Sequence, residues 1–206
     1  MRSLGSRQPT LNRRGRLFVL SAPSGSGKTT VLKALMKRNP AWVRSISITT
    51  RPPRAGERQG KDYRFLSRSQ FQGRVAQGAF LEYARVVGNW YGTPKAPIQR
   101  ALRAGRNALL GVDIQGARKI RRSGLPLTTI FLLPPSKKIL RERLQHRGTE
   151  TTRQIRARLQ SARRELKEVH LYDYAVVNDR LKEAISAVET IIRAEQFRVQ
   201  EPVRAR

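Results

Sequence analysis

The stretch that decides the fold is Ser21-Ala22-Pro23-Ser24-Gly25-Ser26-Gly27-Lys28-Thr29-Thr30. It follows the apolar run Leu17-Phe18-Val19-Leu20, which predicts a buried strand, and it precedes residues 31–36, which predict a helix. A glycine-rich turn between a strand and a helix is typical of a phosphate-binding loop, because glycines let backbone N–H groups point at phosphate oxygens. The N-terminus of the following helix adds positive partial charge at the same place.

Two side chains of this loop would carry its chemistry. Lys28 would reach the β- and γ-phosphates of a nucleoside triphosphate, and the Thr29 hydroxyl would ligate Mg²⁺. The loop departs from the usual G-x-x-x-x-G-K-[ST] pattern at its first position, where Ala22 stands. The alternative is a Gly/Ser-rich turn with a solvated lysine, but spacing and flanking elements favour the phosphate loop. We therefore predict a nucleoside-triphosphate-binding site over residues 22–30.

The chain is strongly basic. Its 206 residues, enough for one domain, include 43 Lys+Arg and 14 Asp+Glu, for a formal net charge of +29. Such a field attracts polyanions, so nucleic-acid binding and an arginine-rich bias on a nucleotide enzyme are both open interpretations. The spread of the charge, an aromatic content of only 6% and the lack of an RNP motif argue against specific nucleic-acid binding. We expect nonspecific, salt-sensitive adhesion to polyanions.

Composition also excludes several kinds of site. There are no cysteines, so disulfides and thiolate metal sites are excluded. No apolar run approaches 18 residues, which predicts no transmembrane helix and no membrane partner. Residues 1–16 are basic and polar, so we expect a flexible tail, with a transit peptide as the alternative. We expect a cytoplasmic protein.

Strand and helix patterns alternate along the chain, which predicts an α/β protein with a parallel sheet. Asp113 follows an apolar run, which is the form of a buried strand that delivers an acid to the carboxyl edge of a sheet. The predicted strands are 17–21, 45–49, 63–65, 80–87, 107–113, 127–133 and 174–177. The predicted helices are 28–38, 67–77 (capped by Ser67 or Ser69), 97–105, 114–122, 136–147, 151–169 and 181–197.

Residues 49–63 read T-T-R-P-P-R-A-G-E-R-Q-G-K-D-Y, a stretch too rich in proline, glycine and charge for a core element. Together with the phosphate loop it resembles the guanylate kinase family, whose members phosphorylate GMP with ATP. The similarity covers roughly residues 16–195 and continues through Phe80-Leu81-Glu82-Tyr83-Ala84, Asn89-Trp90-Tyr91-Gly92-Thr93, Val112-Asp113-Ile114-Gln115-Gly116-Ala117, Leu133-Pro134-Pro135-Ser136, Arg147-Gly148-Thr149-Glu150 and Val177-Asn178-Asp179.

The resemblance implies a three-layer P-loop fold with a parallel core sheet, an inserted GMP-binding subdomain and a helical lid. On that basis the core takes residues 16–45, 98–136 and 166–198. The GMP-binding subdomain comprises residues 46–97, and the lid comprises residues 137–165. Basic tails occupy 1–15 and 199–206.

The resemblance also assigns site residues. The GMP site would contain Ser47, Arg51, Arg54, Tyr63, Glu82, Tyr91, Thr93 and Asp113. Elementary chemistry agrees, because arginine forks suit a phosphate and carboxylates accept the N–H donors of guanine. For Tyr63 and Tyr91 a packing role is the alternative, although Gly92 is expected to leave space beside Tyr91.

The catalytic residues implied by the resemblance are Lys28, Arg51 and three lid arginines, Arg143, Arg147 and Arg158. Asn178 would sit near the adenine of ATP. Mg²⁺ would be the cofactor, and GMP and ATP the substrates. The sequence predicts no oligomeric state.

Gly111 departs from the family pattern, which commonly has a second acid two residues before Asp113. Either Mg²⁺ is held with little carboxylate help, or Gly111 is a close-packing position and another acid substitutes. Two further functions stay open: a guanylate-kinase-like binding module without catalysis, and a basic nucleic-acid-binding protein. The intact Lys28-Thr29 pair argues against the binding module.

Overall fold

The computed structural model describes residues 15–86, 88–145 and 152–198. Its strands are β1 Leu17–Ser21, β2 Ile48–Thr49, β3 Arg64–Phe65, β4 Phe80–Val86, β5 Asn89–Pro94, β6 Ala108–Val112, β7 Leu127–Leu133 and β8 Tyr174–Val177. Its helices are α1 Lys28–Arg38, α2 Arg68–Ala76, α3 Lys95–Arg103, α4 Ile114–Arg121, α5 Lys137–Gln145, α6 Thr152–Leu166 and α7 Leu181–Gln196, with a 3-10 turn at Val169–Leu171.

The core is a four-stranded parallel sheet in the order β6-β1-β7-β8. Its central strand β1 is buried on both faces: Phe18 and Leu20 pack with α1 and α7, while Leu17 and Val19 pack with α3 and α4. Helices on both faces of a parallel sheet are the expected way to bury such a strand. The α/β prediction with a parallel core sheet is therefore confirmed.

A smaller mixed sheet, in the order β3-β2-β5-β4, lies within the predicted 46–97 segment. Strands β2 and β3 are parallel, whereas β5 is antiparallel to both β2 and β4. Helix α2 closes one face of this sheet through Phe71, whose ring stacks on Phe80 and Trp90 at centroid distances of 4.6 and 6.0 Å. This aromatic cluster is the core of the smaller unit.

Several element boundaries differ from the predictions. The structure has a strand β5 that the pattern did not predict, because Gly92 and Pro94 are typical of turns. Helix α3 begins at Lys95 instead of residue 97, which places Pro97 in the first turn, where its missing N–H costs no hydrogen bond. Of the 45–49 prediction only Ile48–Thr49 is a strand, and α6 ends at Leu166.

Of the two candidate caps of α2, Ser67 and Ser69, Ser67 is the one that caps the helix. Its hydroxyl accepts from the Gln70 N–H at 3.2 Å, and the Gln70 amide oxygen accepts from the Ser67 N–H at 3.0 Å. These reciprocal bonds form a capping box, which fixes where the helix begins. Over the three described ranges, no helix is long and apolar enough to cross a bilayer.

Candidate active site

The phosphate loop joins β1 to α1 at the carboxyl edge of the core sheet. Gly25 and Gly27 have φ angles of 92° and 85°, a conformation that L side chains rarely adopt. Asn178, at the end of β8, donates from its side-chain amide to the Ser26 carbonyl at 2.7 Å. A Cβ added at Gly27 would lie 2.4 Å from that amide nitrogen. The loop is therefore braced by Asn178 at a point where only glycine fits.

A pocket of about 280 Å³ opens over this loop. Its walls are Ala22, Pro23, Ser24, Gly25, Gly27, Lys28, Thr29, Thr30, Asp113 and Glu165. Eight of the nine predicted loop residues thus meet in one cavity, and the ninth, Ser26, is fully buried beneath it. Thr29 and Thr30 are exposed at the N-terminus of α1, so their hydroxyls are open to a ligand.

Lys28 is the basic group of this pocket. Its ammonium donates to the carbonyl of Val112 at the end of β6. Burial lowers its pKa from 10.5 to about 8, because desolvation disfavours the charged form more than Asp113, Glu165 and Glu82 favour it. Without a ligand, Lys28 therefore carries its charge in an environment that favours an added anion.

A second pocket, of about 200 Å³, lies between the core sheet and the smaller sheet. It is lined by six of the eight residues expected at the GMP site, Ser47, Tyr63, Glu82, Tyr91, Thr93 and Asp113, together with Ala84, Gly92, Gly111 and Val112. Asp113 also lines the pocket over the phosphate loop. The two pockets therefore adjoin, which follows from the register of β1 and β6, where Ser21 pairs with Val112.

Two carboxylates face the second pocket with different environments. Burial raises the pKa of Glu82, although the Thr93 hydroxyl opposes the rise by donating to its carboxylate at 2.6 Å. Asp113 caps α4 by accepting from the Gly116 N–H at 2.7 Å. One oxygen of Asp113 is thus used to fix the side chain. Two positioned acceptors on one wall can select a ligand that carries adjacent N–H donors.

Two residues expected at the GMP site, Arg54 and Arg51, do not line this pocket. Arg51 nevertheless contacts two residues of its wall, Tyr63 and Tyr91. Its Nη2 donates to both carboxylate oxygens of Glu57, at 2.8 and 2.9 Å, and its Nε donates to the Tyr91 hydroxyl at 3.2 Å. Its guanidinium also lies 5.6 Å from the Tyr63 ring centroid. The Arg54 side chain is exposed, and its backbone N–H donates to Glu57 at 2.8 Å.

Two of the three predicted lid arginines lie on described residues. Arg158, on α6, donates to the Ser24 hydroxyl of the phosphate loop at 2.6 Å. Arg143, on α5, donates to the Asn178 carbonyl at 3.1 Å, and its other terminal nitrogen is buried without a hydrogen-bond partner. Arg147 lies outside the described residues. Helices α5 and α6 thus both contact elements that carry the loop.

Three neighbours of the site were missed by sequence reasoning. Glu57 holds Arg51, and its place three residues after Arg54 in a turn was an available signal. Glu165 lines the loop pocket from α6 and accepts from the Ser161 hydroxyl at 2.8 Å, but nothing in its basic segment marks it. Lys119 donates to the Tyr83 carbonyl and offsets part of the rise in the pKa of Glu82.

Two glycines of the site are close-packing positions. A Cβ added at Gly111 would lie 2.8 Å from Cδ2 of Leu32, which supports the packing alternative for this position. A Cβ at Gly92 would lie 2.6 Å from the Phe80 ring. Phe80 therefore fills the side-chain position of Gly92 on the sheet face opposite to Tyr91, while the backbone of Gly92 lines the second pocket beside Tyr91.

A braced phosphate loop, an adjoining acceptor pocket with its own arginine and a shared carboxylate define a P-loop phosphotransferase of the nucleoside monophosphate kinase class. The guanylate kinase family model matches residues 14–195. The chain belongs to the guanylate kinase family.

Individual relatives are similar to this chain over most of their length. The chain is 45% identical over 188 residues to a guanylate kinase of Clostridium perfringens, covering 91% of this chain and 87% of that protein. It is 46% identical over 185 residues to a guanylate kinase of Thermus thermophilus, covering 90% and 84%. The crystal structure of guanylate kinase from Anaplasma phagocytophilum matches with a TM-score of 0.74 and 34% identity, covering 91% of this chain and 89% of that one.

Proposed function

We propose that this protein transfers the γ-phosphate of ATP to GMP and gives ADP and GDP. The observation that carries the proposal is that Asp113 lines both pockets. A triphosphate on the loop and a monophosphate in the second pocket would therefore meet at one edge of the sheet. Such proximity supplies much of the catalysis in phosphoryl transfer.

On the donor side, the proposed ATP site uses the backbone of residues 22–30. Lys28 would neutralise charge that moves during transfer, and Arg158, already 2.6 Å from the Ser24 hydroxyl, would approach the same phosphates. We place Asn178 behind the loop as its brace, and a contact with adenine stays a prediction. Arg143 and Arg147 stay predicted members of the closing lid.

Mg²⁺ is the cofactor that we propose with ATP. Among the described residues no group of three or more His, Cys, Asp or Glu could hold a metal ion, so the protein alone offers no metal cage there. The exposed Thr29 hydroxyl supplies one oxygen ligand of the kind Mg²⁺ prefers, and the nucleotide phosphates supply others. When bound, Mg²⁺ would neutralise charge on the β- and γ-phosphate oxygens.

On the acceptor side, we assign guanine to Glu82, Asp113, Ser47 and Thr93, and the monophosphate to the arginine side of the pocket. Arg51 contacts the Tyr91 hydroxyl and the Tyr63 ring there, and we add the hydroxyl of Tyr63 and the Arg54 side chain to the proposed phosphate contacts. Adenine has neither the N1–H nor the 2-amino group of guanine, so Glu82 would keep only the Thr93 hydroxyl as a donor, and a buried carboxylate with too few donors opposes binding. None of these contacts is assigned to the ribose 2′-hydroxyl, so we include dGMP among the acceptors.

The test is ADP release in a coupled assay with GMP, dGMP, AMP or no acceptor. We expect turnover with GMP and dGMP, and a kcat/KM for AMP lower by about 10⁴. Lys28→Ala should abolish turnover while the melting temperature shows a folded protein. Comparable kcat/KM values for GMP and AMP would refute the guanine site. Failure to release ADP with any acceptor would favour the noncatalytic binding module.

A further inference from the structure

A groove outside both nucleotide pockets runs between α5 and α6. The two helices pack through a small apolar cluster that contains Leu140, Leu144 and Ala162. The groove, of about 280 Å³, is bounded by the first turns of α5 and the last turns of α6, so the helices run antiparallel. It shares no residue with the pocket over the phosphate loop. At 3.6 residues per turn, the groove side of α6 lies roughly 100° around the helix from Arg158.

The groove combines an apolar floor with a basic rim. Leu159 and Leu166 on the floor are partly exposed. Lys137, Lys138, Arg141 and Arg163 on the rim are exposed, and no hydrogen bond or ion pair joins any of the four to another described residue. The residues that line the groove include no acid and no aromatic side chain. Four like charges around an apolar floor repel one another unless an anion lies between them.

Residues 1–14 and 199–206 are poor candidates for the occupant of this groove. Residues 1–14 contain no acid, and residues 199–206 contain two arginines and one glutamate. Residues 146–151 join the opposite ends of the two helices. Both terminal stretches carry the same sign of charge as the groove, so neither is attracted to it.

We propose that this groove binds an acidic segment of a partner protein, in which a leucine-like side chain enters between the helices and glutamates or aspartates pair with the rim. The aliphatic floor favours this occupant over nucleic acid, because bases bind best by stacking on aromatic rings and phosphates are poorly solvated by leucine. Burying one leucine on the floor supplies specificity that charge alone does not. The surface does not depend on the phosphotransferase activity.

The experiment compares two synthetic peptides of identical composition, built from Glu, Ala and Leu and about 16 residues long so that each can form a helix. One peptide places its leucines on a single stripe at i, i+3, i+4 and i+7, and the other distributes them around the helix. Binding of the full chain is measured by fluorescence anisotropy at about 150 mM salt, where distant charges are screened. We expect the striped peptide to bind at least about tenfold more tightly, as one buried leucine implies.

Two variants with the same net charge distinguish peptide binding at the groove from attraction to the overall positive charge. The groove variant carries Lys138→Glu, Arg141→Glu and Arg163→Glu. The control variant makes the same change in net charge on α2 and α3, with Arg68→Glu, Arg74→Glu and Arg103→Glu. The groove variant should lose the preference for the striped peptide, and the control variant should keep it. Both should keep the helical circular dichroism and the melting temperature of the wild-type chain, which reports that they are folded.

A single floor variant, Leu166→Gln, keeps the test decisive if the triple variant fails to fold. It leaves the charge unchanged and should weaken the striped peptide by about fivefold while leaving the distributed peptide unchanged. Equal binding of both peptides to the wild-type chain, or an equal loss in the control variant, would overturn the proposal. A uridine oligonucleotide that displaces the striped peptide and depends equally on Leu166 would assign the groove to nucleic acid instead.

Discussion

Raising the pH should weaken ATP binding through Lys28. Burial lowers the pKa of Lys28 to about 8 in the ligand-free protein, and a bound triphosphate raises it again by placing anions beside the ammonium. Binding therefore takes up a proton above pH 8, and affinity falls as the pH rises through the lowered pKa. The apparent Kd scales as 1 + 10^(pH − pKa), which gives about a tenfold rise between pH 7 and pH 9, or about 1.4 kcal/mol.

Isothermal titration of ATP with saturating Mg²⁺ measures this directly, and titrations in buffers of different ionisation enthalpy count the protons taken up. Phosphate groups are already fully ionised at these pH values, so they do not contribute. GMP binding does not serve as the control, because its pocket shares Asp113 with Lys28. A flat ATP profile from pH 7 to pH 9.5 would refute the argument.

Two variants test whether ionisation of Lys28 causes the pH dependence of ATP affinity. Lys28→Arg keeps its charge throughout this range, so its ATP affinity should not depend on pH, and a slope equal to that of the wild type would contradict the assignment. Asp113 is the largest influence that raises the pKa of Lys28, so Asp113→Asn should move the midpoint to lower pH. The same lowered pKa makes the ligand-free fold more stable as the pH rises from about 8 to 10.5, since the unfolded chain then binds more protons.

Three further predictions concern single side chains. Arg158→Ala should lower kcat by about a hundredfold and change KM for GMP much less, because the contacts of the lid form fully only in the closed state in which transfer occurs. A pure KM effect in steady-state kinetics would contradict this. Glu57→Gln should raise KM for GMP about tenfold by releasing Arg51, and an unchanged KM would show that Arg51 is positioned without it. Gly111→Asp should lower the free energy of unfolding by about 1–3 kcal/mol because Leu32 must move, and an unchanged denaturant titration would contradict a close-packing role. An Mg²⁺ series on the same variant separates the two alternatives for this position, because the Mg²⁺ concentration for half-maximal activity should fall only where the metal is held with little carboxylate help.

Local patterns in the sequence predicted the phosphate loop and Asp113, and they missed the residues that hold or flank the site. The phosphate loop and Asp113 were predictable because each follows a buried apolar strand, and parallel strands end at one edge. Glu57 could have been predicted from its place in the turn after Arg54, whereas Glu165 reaches the loop pocket only because α6 packs over the loop. Strand β5 was missed since Gly92 looks like a turn residue, whereas its missing side chain makes room for Phe80.

Because Asp113 lines both pockets, the two substrates do not bind independently of each other. A guanine that donates to this carboxylate would weaken its support for the charge on Lys28, and a triphosphate that pairs with Lys28 would alter the field at Asp113. The free energy of binding either nucleotide therefore depends on the occupancy of the other pocket. Reciprocity requires this coupling to have the same size and sign in both directions, so GMP must change the affinity for ATP by the factor by which ATP changes the affinity for GMP.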